Sequence, residues 1–215
     1  MNVTAEIIPY LLSTIGALIP IVNPFATAPM LVSMTTSFTD AERLDVVRRA
    51  SIYMFCILAA FLVAGGLIMQ FLGISIPGLR IAGGLVIAAV GFRMLFSVSS
   101  SPSDDAQPPP KRDIAFTPLA MPSLAGPGSI AVVIGMSTTA QTTDSVILRH
   151  ALIAIGIALT TVFCYFVLRS ATRLARVLGP SGVSAMTGIM GFLLVCIGIQ
   201  FVINGVTDLT GTLGS

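Results

Sequence analysis

No Asp or Glu occurs between Asp45 and Asp104, between Asp113 and Asp144, or between Asp144 and Asp208. Three kinds of membrane chemistry lose their parts with them. A divalent-metal carrier wants charged oxygen ligands, and a proton relay through an acid within the membrane needs that acid. An aspartyl intramembrane protease is excluded for the same reason. Histidine is almost as scarce: His150 is the only one and sits at the edge of an apolar run, so a Ser–His or zinc site is not expected. Cys56, Cys164 and Cys196 stand singly with no CxxC, which leaves a dithiol relay unsupported and reads as small packing residues. The sequence therefore predicts no enzyme activity, no metal site and no cofactor. A coupling ion stays open, because sodium can be held by backbone carbonyls alone.

Charge of either sign is also sparse. Only 9% of the residues are charged and 55% are hydrophobic, against about 25% charged in soluble domains. Uncharged runs cover 7–39, 50–79, 81–92, 114–143, 151–168 and 177–207. A helix needs roughly 20 apolar residues to cross a ~30 Å hydrocarbon core, and lipid tolerates no looser backbone. The runs predict six membrane spans, at 7–36, 51–71, 74–96, 114–137, 146–168 and 183–206. The first is expected to remain a span, since Met1–Glu6 lacks the basic start of a secretory signal. Alternating sides then receive nine Lys and Arg (43, 48, 49, 93, 111, 112, 169, 173, 176) against two, Arg80 and Arg149. The richer side is assigned to the cytoplasm, which places both termini outside. The Ser-, Pro- and Asp-rich stretch 97–113 reads as a cytoplasmic linker between residues 1–96 and 114–215.

Those two segments resemble each other. At an offset of 103, Thr14, Ala17, Pro24, Thr35 and Thr36 fall on Thr117, Ala120, Pro127, Thr138 and Thr139. Leu72-Gly73 falls on Leu178-Gly179 at 106; Gly84, Gly91 and Arg93 fall on Gly191, Gly198 and Gln200 at 107. Three spans is an odd number, so the second repeat enters the membrane inverted. The predicted fold is an all-α polytopic membrane protein, six helices in a 3+3 inverted repeat, with a solute site where the repeats meet.

The first span carries Pro20, Pro24 and Pro29, and the fourth carries Gly126-Pro127-Gly128. Proline removes an amide donor and forces the preceding residue out of helical geometry, so both helices are expected to be discontinuous. As one helix, 7–36 would run about 45 Å, well beyond the core. Freed helix N-termini suit a carboxylate and freed carbonyls suit an ammonium, a combination that a zwitterionic amino acid presents. Asn23, Thr27 and Ser129 add neutral polar groups. Arg80 and Arg93, about 20 Å apart on the third span, are expected to reach opposite surfaces. Arg93 with Gln200 and Asn204 is a further candidate, as a gate. The glycines at 83, 84, 91, 188, 191 and 198 are expected to let the third and sixth spans pack closely.

Asn-Pro-Phe-Ala-Thr-Ala-Pro at 23–29, Pro-Leu-Ala-Met-Pro-Ser-Leu-Ala-Gly-Pro-Gly-Ser at 118–129 and Gly-Ile-Gln-Phe-Val-Ile-Asn-Gly at 198–205 together resemble the MarC family. That family is grouped with LysE-type exporters. The resemblance implies the inverted-repeat fold, a bacterial inner-membrane location and a secondary transporter of small neutral amino acids such as glycine or alanine, with export as the direction considered and not fixed by the sequence. Carried onto this sequence, it implies a solute site at Asn23, Pro24, Phe25, Ala26 and Thr27 with Gly126, Pro127, Gly128 and Ser129. Membrane lipid and a small solute are the expected partners, with a homo-oligomer compatible and nucleic acid excluded. Two alternatives stay open: a non-transporting membrane scaffold or sensor acting through its glycine-rich faces, and an exporter of another small solute or drug.

Overall fold

The computed structural model describes residues 3–96, 114–141 and 146–213. The expected linker at 97–113, with Lys111 and Arg112, lies outside the described residues. Within them the chain is helical, with no strand. Seven helices are present: α1 (Val3–Val22), α2 (Pro24–Met34), α3 (Asp40–Leu72), α4 (Ile76–Phe96), α5 (Pro127–Gln141), α6 (Val146–Arg169) and α7 (Ala171–Leu213). A wider coil, Ala115–Leu124, precedes α5.

Among the described residues, five helical stretches are long and apolar enough to cross a membrane: Ile7–Met34, Asp40–Leu72, Ile76–Phe96, Val146–Arg169 and Ser181–Thr210. The fourth expected span, 114–137, is not one helix. Its first part winds with amide-to-carbonyl bonds five residues back, Leu119 to Ile114 (3.4 Å) and Ala125 to Ala120 (2.8 Å). Thr117 and Met121 are extended within it (φ −121°, ψ 121° and φ −128°, ψ 123°). Each stands before a proline, Pro118 and Pro122, whose ring disfavours helical geometry in the residue ahead of it. The interruption is therefore wider than Gly126-Pro127-Gly128.

The second span begins earlier than its uncharged run. Thr39 caps α3: its hydroxyl accepts from the Glu42 amide (3.3 Å) while Glu42 Oε2 accepts from the Thr39 amide (2.9 Å), a reciprocal capping box. The helix thus includes the charged turns from Asp40, where Arg49 pairs with Asp45 at 2.9 Å. At its other end Gly73 takes φ 66° and the Ile74 amide reaches back to the Met69 carbonyl at 2.9 Å, a left-handed stop that suits glycine. Gly179, ahead of Pro180, interrupts α7 with φ 62°, ψ 177°, a backbone region essentially open only to glycine.

The centre is built where α3 packs on α6, with Met54, Leu58, Ile153 and Ile157 fully buried. Helix α1 lies against α6, and the wide coil against α3. The short helices bridge outward, α2 to α6 and α7, α5 to α3 and α4. Val63, Leu67 and Phe71 on α3 and Ile147 on α6 stay exposed, apolar surface suited to lipid.

Glycines set the α4–α7 seam. A Cβ on Gly84 would lie 2.5 Å from the Gly198 carbonyl oxygen, and one on Gly91 would lie 2.7 Å from that of Gly191. The two backbones are in direct contact at both levels, as small residues allow in membrane helix pairs.

Arg43 closes the far end of α2. Its Nε donates to Thr35 Oγ1 (2.8 Å), Nη2 to the Thr35 carbonyl (2.8 Å) and Nη1 to Thr172 Oγ1 on α7 (3.3 Å). The cation thus sits on the C-terminal carbonyls of a helix, where the dipole favours it, and joins three elements. Arg43→Ala is expected to destabilise the protein by about 1.5–3 kcal/mol, read as a lowered unfolding temperature in detergent, with Arg43→Lys recovering only part.

Candidate functional site

The two interrupted segments meet. Helix α1 ends at Val22, and the chain turns through one residue, Asn23, with φ 44° and ψ 65°. This left-handed conformation is one that asparagine tolerates better than most residues with a side chain. Asn23 then caps α2: its Oδ1 accepts from the Ala26 amide (3.2 Å), and its carbonyl accepts from the Thr27 amide (3.3 Å) and the Thr27 hydroxyl (3.3 Å). Pro24 takes the first helical position, where its missing amide costs nothing. It also withholds a donor from the Pro20 carbonyl four residues back.

The other segment is started differently. The Gly126 carbonyl accepts the first bond of α5, from the Ile130 amide (3.1 Å). Ser129 donates its hydroxyl to the Gly126 carbonyl (2.9 Å) and is also within 3.4 Å of the Leu124 carbonyl. Asn23 and Gly126, at equivalent places in the sequence repeat, therefore differ in one respect. Asparagine satisfies its own helix start, whereas glycine has no side chain to offer, and the Gly128 and Ser129 amides have no carbonyl four residues back within α5.

Between these starts lies a cavity of about 260 Å³. Asn23, Ala26, Thr27, Gly126, Pro127, Gly128 and Ser129 line it, together with Ile21, Val22, Met30, Ser123 and Leu194. Helix α4 supplies the opposite wall through Val86, Ile87, Val90, Arg93 and Met94. Asn23 Nδ2 faces Met94 Sδ at 3.8 Å, a weak contact that leaves the amide a capable donor. Among the described residues, no carboxylate lines this cavity. It offers amides and carbonyls, small hydroxyls and one cation at its rim, within apolar walls.

Of the sequence-predicted residues, Pro24 and Phe25 lie outside the lining. Pro24 is buried, and Phe25 points away to stack edge-on against Phe163, ring centroids 6.1 Å apart. Of the expected gate, Arg93 lines the cavity but Gln200 and Asn204 do not. Those two bond each other on α7, Gln200 Nε2 donating to Asn204 Oδ1 at 2.9 Å. Asn204 instead lines a second cavity of about 440 Å³.

Three features were not anticipated. Met94 and Ile87, which face Asn23 and Gly128, carry no polar signal in the sequence. Arg80, expected at a surface, is partly exposed and also forms an ion pair with Asp208 across α4 and α7. His150 was expected to lack a serine, yet its Nε2 lies 3.0 Å from Ser137 Oγ, and Ser137 also donates to the Leu62 carbonyl at 2.8 Å. With His150 Nδ1 at 2.9 Å from the Val146 carbonyl, this group ties α3, α5 and α6 together.

Residues 8–210 match the MarC family of integral membrane proteins. The chain is 40% identical over 205 residues to the UPF0056 inner membrane protein MarC of Escherichia coli K12, an alignment spanning 91% of this chain and 93% of that protein. The protein of the same name from Shigella flexneri matches with the same identity and coverage. No solved structure matches this chain.

Proposed function

The chain belongs to the MarC family of integral membrane proteins, and from that premise we propose that it is a secondary transporter of small neutral amino acids such as glycine or alanine. The carrying observation is that both helix interruptions converge on one cavity that no carboxylate of the described residues lines. The open start of α5 suits the solute carboxylate. The last carbonyls of α1, where Ile21 and Val22 line the cavity, suit the ammonium. The modest volume and the apolar walls favour a small side chain.

Alternating access asks for two inverted halves, and this reading counts α1–α2 and the wide coil with α5 as broken first helices of such halves, giving six spans. The packing supports it pair by pair. If α1, α2, α3 and α4 correspond to the wide coil, α5, α6 and α7, then α1 on α6 maps to the coil on α3. Likewise α2 on α7 maps to α5 on α4, and both pairs of each kind are in contact. The contact of Gly84 with Gly198 maps to that of Gly191 with Gly91, and both are made. Gly73 and Gly179, matched in the sequence repeat, share a positive φ. The same reading places the protein in a bacterial inner membrane with both termini outside, by the nine-to-two excess of basic residues.

The test is flux of labelled glycine or alanine across liposomes containing the purified protein. Asn23→Gly keeps the left-handed turn open and costs only a few tenths of a kcal/mol as a cap, yet removes the amide from the cavity. It is expected to fold and to lose most of the flux. Full flux in this variant would remove Asn23 from the solute path.

A further inference from the structure

We propose that His150 and Ser137 form a proton-binding site that fastens α5 to α3 and α6, so that acid slows the solute cycle. Three short contacts run in a chain: the Leu62 carbonyl to Ser137 Oγ (2.8 Å), Ser137 Oγ to His150 Nε2 (3.0 Å), and His150 Nδ1 to the Val146 carbonyl (2.9 Å). Both ends are carbonyl oxygens, which only accept, so three bonds need three hydrogens. Ser137 brings one and a neutral imidazole brings one. With the ring hydrogen on Nδ1, Val146 is satisfied, but Ser137 can donate to Leu62 or to Nε2 and not to both. With the hydrogen on Nε2, Ser137 and Leu62 are satisfied while Nδ1 faces the Val146 oxygen lone pair to lone pair. Imidazolium donates from both nitrogens: Nδ1 to Val146 and Nε2 to Ser137, whose hydroxyl donates to Leu62. Only the protonated ring completes the chain.

Leu62 and Ser137 are buried, so a polar contact left unmade there is costly. His150 is half-buried, which keeps it within reach of a proton from solution. Neighbouring charges do not stand in for that proton. Helices α2 and α5 carry no ionisable side chain, and those of α3 run from Asp40 to Cys56, six residues or more before Leu62. Arg149, next along α6, lies over the Tyr10 ring of α1, 5.4 Å from its centroid. Asp208 of α7 pairs with Arg80. Arg169 closes the far end of α6, roughly 28 Å along the helix, with Arg173 and Arg176 beyond it. Among the described residues His150 makes no ion pair.

Helix α5 is what the proton holds. Gly128 and Ser129 at its start line the solute cavity, while Ala131, Val132, Gly135 and Met136 further along line the second cavity. Opening one cavity as the other closes asks this helix to shift against α3 and α6, and the completed chain of bonds resists the shift. In the proposed orientation His150 stands on the outer side, so the site answers to the outer solution. The effect on flux rests on the transport reading; the proton's hold on α5 does not.

His150 is the only histidine, which isolates its titration. The first readout is amide hydrogen exchange over 127–141 in the purified protein, corrected for the intrinsic rate at each pH. Between about pH 8 and about pH 5, where imidazole changes charge, this exchange is expected to slow severalfold. His150→Gln and Ser137→Ala should each abolish the change. Ser137→Ala keeps the imidazole, so it separates the chain of bonds from titration alone. The second readout is glycine flux in liposomes at equal pH on both sides. Flux should fall severalfold over the same interval in the parent protein and stay level in both variants. Exchange that ignores pH in the parent protein, or that keeps its pH dependence in Ser137→Ala or His150→Gln, overturns the proton site. Should one variant fail to fold, the other still decides. The expected exchange without glycine flux at any pH removes the transport reading and leaves the proton site standing. The expected exchange with flux that is level in pH overturns the brake on transport.

Discussion

Gly198→Ala should lower the stability of the protein by about 3 kcal/mol or more, although it adds one methyl group to a helix. The added Cβ would lie 2.5 Å from the Gly84 carbonyl oxygen, 2.6 Å from the Ala88 nitrogen and 2.9 Å from the Ala88 Cα. All three are backbone atoms, so no side-chain rotation relieves the overlap. The α4 and α7 axes must separate, and that loosens Gly91 against Gly191 and Gly205 against the Pro77 carbonyl as well. Gly188→Ala in the same helix is the control, because no heavy atom lies within 4 Å of its added Cβ. It should leave stability unchanged or raise it by about 0.5–1 kcal/mol through helix propensity. Thermal unfolding in detergent, with size-exclusion profiles, separates the two. Equal stability of both variants would refute the seam.

Gly128→Ala should suppress flux by at least about tenfold with a smaller loss of stability, on the order of 1–2 kcal/mol. Its Cβ would lie 2.5 Å from Ile87 Cγ1 and 3.2 Å from Ile21 Cγ2. Here the obstacle is side chain rather than backbone, so the fold can yield. What yields is the cavity wall, since Gly128, Ile87 and Ile21 all line the space between the two helix starts. Ile87→Ala removes the opposing Cγ1 and should restore part of the flux in the double variant. Coupling of this kind is what residues in contact display. Independent effects of the two substitutions would mean that Gly128 acts elsewhere.

The helical class and the long spans were legible because membrane helices write themselves as uncharged runs. Their ends were less so. Asp40 to Arg49 interrupts the apolar pattern, and the capping box of Thr39 and Glu42 that starts α3 there depends on two side chains meeting the backbone rather than on hydropathy. The interruptions were legible from proline, but their shapes were not. Asn23 turns the chain in one residue, whereas Thr117 and Met121, each ahead of a proline, unwind a longer stretch. Likewise the segment 23–29 stood out as a unit, yet a helix turns its residues to different sides. Asn23 and Thr27 turn to the cavity while Phe25 turns to Phe163. Arg80 and Asp208, 128 residues apart, could be paired only once α4 and α7 were brought side by side.

The most direct test of the central account is the release of labelled glycine from liposomes carrying the parent protein, Gly188→Ala or Asn23→Gly. Release well above that of empty vesicles is expected for the first two, and release close to empty vesicles for Asn23→Gly. No release by the parent protein, or equal release by all three, would contradict a solute path between the two interrupted helices.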